Sequence, residues 1–316
     1  MPQILTLGSL NADLVSTTSR LPSAGETLSS TSFHTIPGGK GLNQCIATQR
    51  LSRNSPSSPS PSSITTAMIG NVGNDEFGPM LLTTLTSNGI DARGITTRPG
   101  ESSGVAVIIV EEDTGMNRIL VNAGANGSVE WEQGWFSKNP ECKMLVAQLE
   151  CPLPTVLQAI DEAVSAGVRV VFNPAPAQTL PVDVYGKVEY LIVNETEAAI
   201  LTEREVAVLD DNAGIESTGR RLRDMGARNV VITLGGRGCW WVSENGEEAF
   251  QTAEKVGKVV DTTGAGDTWV GAFAVAIMEG KRMEDAVQWA GRAAGVAVTK
   301  AGAVAGIPWR GEVEKA

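Results

Sequence analysis

The chain has 316 residues, of which 42% are hydrophobic, and its 25 Lys and Arg against 36 Asp and Glu leave a formal net charge of −11. That length suits two ordinary domains or one large α/β domain, and the pattern below reads as a single domain over 1–316. The acidic excess lacks the basic face that a nucleic acid or an anionic membrane would need, so neither is expected as a partner; a local anion site needs only a few donors and stays open.

The four cysteines (Cys45, Cys142, Cys151, Cys239) form no C-x-x-C pair, and His34 is the single histidine. A Cys/His zinc site and a histidine triad are therefore not expected, and the thiols read as unpaired in a reducing compartment. No basic leader opens the chain and no apolar run reaches the ~18 residues of a membrane span. A cytoplasmic protein is expected, with the nucleus also compatible.

In chain order, short apolar runs at 4–7, 64–69, 144–147, 168–172, 190–193 and 230–234 read as strands buried on both faces. Amphipathic stretches at 78–87, 154–166 and 215–225 lie between them. This alternation predicts an α/β fold, a three-layer α/β/α sandwich around a mainly parallel sheet. Residues 264–279 and 283–300 are long, Ala- and Gly-rich helical patterns. Two segments, 14–33 and 93–121, read instead as antiparallel strands with a turn at 113–116, and predict a small β-strand lid over the ligand crevice. The Ser/Pro-rich tract 54–63 cannot bury apolar surface and reads as a solvated surface loop.

The strongest chemical signal is VVDTTGAGDT at 259–268, followed by an apolar helix. Gly264 and Gly266 allow a sharp turn, so the free amides of Gly264, Ala265 and Gly266 can point at one anion, assisted by the helix dipole. Asp267 beside such an anion can accept a proton from an attacking hydroxyl. An Asp N-cap is the plainer reading, made less favourable by Asp261 and two threonines in the same loop. No G-x-x-x-x-G-K-[ST] loop occurs.

A second glycine cluster, PGGKGLNQ at 37–44, opens a helix and offers Lys40 and Asn43 as donors. Asn11 and Asp13 follow the first strand, where an amide and a carboxylate can grip the hydroxyls of a polyol, although Asx turns are common there too. Glu150 also ends a strand. Asn194 and Glu197 stand three apart at a helix start, where they can order a hydrated magnesium ion or form a capping box; spacing alone favours the box. TLGGRG at 233–238 is a tight turn that can contact a nucleotide or simply join a hairpin.

Together these motifs resemble the PfkB family of carbohydrate kinases, in the expected order from Leu5 to about Trp309. Residues 38–44 match the N-terminal signature and 261–267 the C-terminal one. Further matches fall at 70–78, 117–126, 173–176, 194–197, 298–303 and 307–309. The resemblance implies transfer of the γ-phosphoryl of ATP to a sugar hydroxyl. Within the family the pattern is similar to members acting on D-ribose, which implies O5 as the acceptor. It further implies Asp267 as the base, with the Gly264–Ala265–Gly266 amides as the anion hole. Asn11, Asp13, Gly39, Lys40, Asn43 and Glu150 fall on sugar positions. Asn194, Thr233, Gly235, Gly238 and Gly266 fall on nucleotide positions, with Glu197 near Mg²⁺. Asp261, Thr263, Ala297, Lys300, Gly302 and Gly306 fall on positions that hold an activating K⁺. A homodimer through the lid strands is implied as well. Gly291 stands where many relatives have an asparagine near the adenine, and Gly306 where serine is frequent. A kinase for fructose, 2-keto-3-deoxygluconate, adenosine or pseudouridine is the alternative within the family, and a non-catalytic sugar sensor the alternative outside it.

Overall fold

The computed structural model describes residues 1–61, 63–113 and 116–316. In chain order the elements are β1 (Gln3–Leu7), β2 (Asn11–Thr18), β3 (Ser32–Gly38), α1 (Lys40–Leu51), β4 (Thr65–Gly73), α2 (Phe77–Ser87), β5 (Asp91–Arg98), β6 (Gly104–Glu111) and β7 (Asn117–Asn122). They continue with α3 (Trp135–Lys138), β8 (Cys142–Ala147), α4 (Leu153–Ser165), β9 (Arg169–Phe172), β10 (Tyr190–Asn194), α5 (Glu195–Thr202), α6 (Asn212–Asp224), β11 (Asn229–Thr233), β12 (Cys239–Val242) and β13 (Glu248–Gln251). The last are α7 (Ala265–Met278), α8 (Met283–Ala297), α9 (Ala303–Gly306) and α10 (Arg310–Val313).

Nine strands form one sheet in the order β13-β12-β11-β10-β9-β8-β1-β4-β5. Pairing is parallel from β11 through to β5, and the hairpin β12–β13 closes one edge antiparallel. Successive side chains of a strand point to opposite faces. Ile4 therefore joins a core with Ile46, Phe273 and Val287 from α1, α7 and α8, while Leu5 and Leu7 join one with Val156, Ala198 and Ile215 from α4, α5 and α6. Burial on both faces explains why these strands are continuous apolar runs. All four cysteines are buried free thiols, each pushed up to about 12 chiefly by burial. No helix among the described residues is long and apolar enough to cross a membrane.

The lid is a second sheet, β3-β2-β6-β7. It differs from the expected one in two respects. β2 and β6 pair parallel, and the expected lid segment 93–121 divides, because residues 91–98 form β5 and pair parallel with β4 in the large sheet. Half-buried, polar-rich DARGITTR has the pattern of any one-sided strand, so its partner is a matter of tertiary packing. The break after β5 is secured by Asp75, whose carboxylate accepts from Ser103 N (2.6 Å) and Ser103 Oγ (2.7 Å). The turn expected at 113–116 includes Thr114 and Gly115, which lie outside the described residues. In the Ser/Pro tract, Asn54 O accepts from Gly311 N (3.3 Å), and the preceding Arg53 O from Arg310 N (3.1 Å).

Candidate active site

The candidate residues gather at the carboxyl ends of the parallel strands, beside β1, which lies between β4 and β8 where the strand order reverses direction along the sheet. Open α/β sheets form their ligand crevice at such a switch point. The β1 exit carries Ser9, Asn11 and Asp13; the β8 exit carries Gln148 and Glu150; Asn173 follows β9, Asn194 ends β10 and Thr233 ends β11.

Two helices aim their N-termini into this crevice. Helix α1 starts after Gly39, whose φ of +93° and contacts exclude a side chain: an alanine Cβ would stand 2.9 Å from Asn11 N. Helix α7 starts after Gly264, at φ +75°. The two helices touch at Gly271, where a Cβ would stand 2.5 Å from Ala47 Cβ, 2.7 Å from Thr48 N and 2.9 Å from Gln44 O. One turn before Gly271 on α7 is Asp267, so this close contact delivers Asp267 to the start of α1.

Asp267 is 9% exposed and accepts one amide N–H on each oxygen, from Asn43 Nδ2 to Oδ2 and Gln44 Nε2 to Oδ1, both at 2.9 Å. Burial raises its pKa above the usual carboxylate value, an effect that Lys40 and the two amides oppose and Glu150 reinforces. Glu150 Oε2 accepts from Ser9 Oγ (2.5 Å) and Lys40 N (3.0 Å), and Ser9 Oγ in turn accepts from Gly41 N (3.2 Å). Asn11 Oδ1 accepts from Asn126 Nδ2 (2.8 Å), which fastens the lid root to the crevice floor. Asp13 is pushed up to about 7 by burial first, then by repulsion from Glu150 and Asp267. Burial alone would lower the Lys40 ammonium, but attraction to Asp267, Glu150 and Glu197 raises it. One ammonium among four carboxylates suits a neutral polyol whose hydroxyls donate to oxygen acceptors.

Along the nucleotide side, Asn194 and Glu197 form the capping box that spacing favoured: Glu197 N donates to Asn194 Oδ1 (2.8 Å), and Asn194 N to Glu197 Oε2 (2.9 Å). Glu197 nevertheless lies close enough to Lys40 and Asp267 to feel both charges, and burial raises its pKa. Thr233 Oγ1 donates to Val193 O (3.3 Å). The 233–238 turn does join a hairpin, β11–β12. Gly238 is required by that turn, since a Cβ would stand 2.0 Å from Gln251 O, whereas Gly235, Gly266 and Gly291 face open space. Of the expected anion-hole amides, Ala265 N donates to Thr262 O (3.2 Å), which leaves those of Gly264 and Gly266 without a partner among the described residues.

The expected cation positions also converge. Asp261 accepts from Thr263 N (2.9 Å) and Gly302 N (2.8 Å); burial works against its charge, but these bonds hold it below the usual value. Val260 N and Asp261 N both donate to Val298 O, tying this loop to the one after α8. A Cβ on Gly306 would lie 3.3 Å from Ala297 O and 3.7 Å from Lys300 O, so both carbonyls border that glycine. Ser9, Gln44, Asn126, Gln148 and Asn173 also line the crevice, although the sequence assigns none of them a role. Three of them fall within family-like segments, Gln44 in 37–44, Asn126 in 117–126 and Asn173 in 173–176, whereas Ser9 and Gln148 carry no signal of their own.

The pfkB family carbohydrate kinase model matches residues 1–310. The chain is 40% identical over 99% of its length to a ribokinase of Schizosaccharomyces pombe, covering 97% of that protein. It is 34% identical to a deoxyribokinase of Salmonella typhi, over 96% of this chain and 95% of that one. An Arabidopsis thaliana ribokinase, solved in complex with ribose and ATP, superposes with a TM-score of 0.87 at 28% identity, over 99% of this chain and 98% of that one. The chain belongs to the pfkB family of carbohydrate kinases. It is an ATP-dependent sugar kinase, with the α/β fold of that family.

Proposed function

We propose that this sugar kinase phosphorylates the 5-hydroxyl of D-ribose, giving D-ribose 5-phosphate and ADP. The observation that carries the reading is Asp267: a buried carboxylate, oriented through both oxygens, at the start of α7 and within reach of the charges of Asp13 and Glu150. Asn11, Asp13, Gly39, Lys40, Asn43 and Glu150 hold the sugar, and Asp267 takes the proton of O5. The oxygen attacks Pγ, its bond to the β-phosphate oxygen breaks, and ADP leaves. The Gly264 and Gly266 amides receive the charge that develops on the γ-phosphoryl oxygens. Asn194, Thr233, Gly235 and Gly238 border the nucleotide, and Glu197 faces the hydration shell of its Mg²⁺.

An all-oxygen donor set (the Asp261 carboxylate with carbonyls of the 297–306 loop) fits a K⁺ ion, which when bound supplies positive charge beside the anion hole. The lid supports a small sugar over a nucleoside. Phe33, the one Phe, Tyr or Trp of the four lid strands, pairs with Ser16 and so faces away from Asp13, whose face carries Val15 and Ile108. On the face opposite Asp13, Phe33, Val107 and Leu120 are exposed, Leu120 at 72%, which supports a homodimer through the lids.

The test is ADP release with ATP, Mg²⁺ and D-ribose, with and without K⁺, beside 2-deoxyribose, fructose and adenosine. Ribose-dependent release that rises with K⁺ is expected, from a protein of twice 33.1 kDa by light scattering. Preference for 2-deoxyribose would keep the mechanism and change the substrate; ribose binding without ADP would favour the sensor.

Asp13 supplies a second expectation. Its folded pKa, about 7, lies above the ordinary 3.8, so the folded state favours the protonated form. The site is therefore most stable when Asp13 is protonated, and stability is lost as pH rises from about 4 through about 7. Sugar hydroxyls donate to the ionised form, so ribose affinity is expected to rise over the same approach to pH 7. In D13N the affinity falls and both dependences flatten, as calorimetry between about pH 5.5 and 8.5 would read. An unchanged slope in D13N assigns the titration to another group.

A further inference from the structure

Asp267 stands at one end of a line of buried side-chain amides. Gln44 and Gln148 have no exposed surface, and Asn173 is 8% exposed. Gln44 Nε2 donates both to Asp267 Oδ1 (2.9 Å) and to Asn173 Oδ1 (3.0 Å), while Gln44 Oε1 accepts from Gln148 Nε2 (2.6 Å). Asn173 Nδ2 donates to Ile192 O (2.9 Å), a backbone carbonyl whose sense is fixed.

A primary amide has two ends of nearly equal shape and opposite chemistry. Turned by half a rotation, the Gln44 amide would press its oxygen on two acceptors and its NH₂ on the Gln148 donor. Each of its three bonds would become a repulsion. Asn173 and Asp267 select the donor end of Gln44, and Gln148 holds the acceptor end.

We infer that Gln148 is a positioning residue for the base: by donating to Gln44 Oε1 it keeps the Gln44 N–H on Asp267 Oδ1, so that with Asn43 on Oδ2 the carboxylate is held through both oxygens. This inference rests on the reading of Asp267 as the base. A second observation supports it. Gln148 Oε1 is buried with no partner, against Gly8, where a Cβ would stand 2.2 Å away. An orphaned acceptor costs about 1–3 kcal/mol. A methionine of similar shape would avoid that cost, so what glutamine supplies here is its donor.

Asp267 is faced by Lys40 from α1, Glu150 from the β8 exit, Asp13 from β2 and Glu197 from α5. Among these charges, an N–H on Oδ1 favours the ionised form, and loosening it raises the proton affinity of the carboxylate.

In Gln148→Met, kcat is expected to fall about 10- to 100-fold while KM for sugar and ATP stays within about 3-fold. The acid limb of the kcat profile moves up by about 0.5–1 pH unit. The ¹³C carboxyl resonance of Asp267, assigned by its absence in D267N, shifts its titration the same way in protein without substrates. That readout needs no turnover: a wild type inert towards ribose would overturn the ribose reading and leave the titration to decide the positioning role. An unmoved titration, or an effect confined to the melting temperature, overturns the inference. Should Gln148→Met fail to fold, Gln148→Glu decides. Its neutral acid donates to Gln44 and loses that donor on ionising, so kcat declines with rising pH relative to wild type; a parallel profile overturns the proposal.

Discussion

In D267N, kcat falls by about 10²–10⁴-fold, the contribution of a positioned general base, while the fold and sugar binding persist. The size follows from what the side chain is asked to do. Each tenfold is about 1.4 kcal/mol of barrier, so the loss amounts to about 3–6 kcal/mol of the transition state. The isosteric amide keeps the volume and one of the two acceptor contacts, but it presents an NH₂ to one of the donors, Asn43 Nδ2 or Gln44 Nε2. Against that lost bond and the lost attraction to Lys40 stands the relief of a buried, desolvated charge that also repels Glu150 and Asp13. The two effects are each of order 1–3 kcal/mol and opposite in sign, so the melting temperature moves little. Removal of the Asp267 charge also brings the Asp13 pKa down from about 7. Single-turnover kinetics with a ribose-binding isotherm separates these quantities; turnover near wild type would remove Asp267 from the base role.

Gly271→Ala is expected to have the next largest effect, at a position one helical turn beyond the base on α7. Alanine in a helix interior gains about 1 kcal/mol over glycine. Here its methyl would stand 2.7 Å from Thr48 N and 2.9 Å from Gln44 O, both backbone atoms of α1 that cannot rotate away. Overpacking of this kind costs about 1–3 kcal/mol or more, so it exceeds the propensity gain and the helices part. Their separation carries Asp267 away from Asn43 and Gln44, and a displacement near 1 Å can cost about 10²-fold in rate. A lower melting temperature together with reduced kcat at near-normal KM is expected. A more stable, fully active variant would show that the α1–α7 contact yields without moving the base.

Several features of this protein were legible in the chain. Apolar runs on both-faced strands, the helix patterns between them, the 261–267 loop and the 37–44 cluster are local signals, written within one element or one turn. The capping box at Asn194 and Glu197 is of the same kind, because both partners lie within four residues. Element ends drifted by one to several residues: the last long helix ends at Ala297 rather than 300, and β4 extends to Gly73. β5 belongs to the large sheet rather than to the lid, a choice its partly buried, polar-rich pattern leaves open because it fits an edge of either.

The set of elements, their α/β order and the residue types offered at the strand ends are therefore written in the chain. Those follow from side-chain periodicity and backbone freedom, which act over a few residues. Which groups meet was decided by the tertiary structure alone. Gln44 lies 223 residues from Asp267 and 104 from Gln148, and none of these amides carries a pattern that marks its partner. The raised pKa of Asp13 has the same origin, since it needs Glu150 and Asp267 brought into one dry crevice. Hydrogen bonds and Coulomb forces at such sites depend on distance in space, and that distance is set by close packing at glycines such as Gly271, where a missing methyl lets two helices touch.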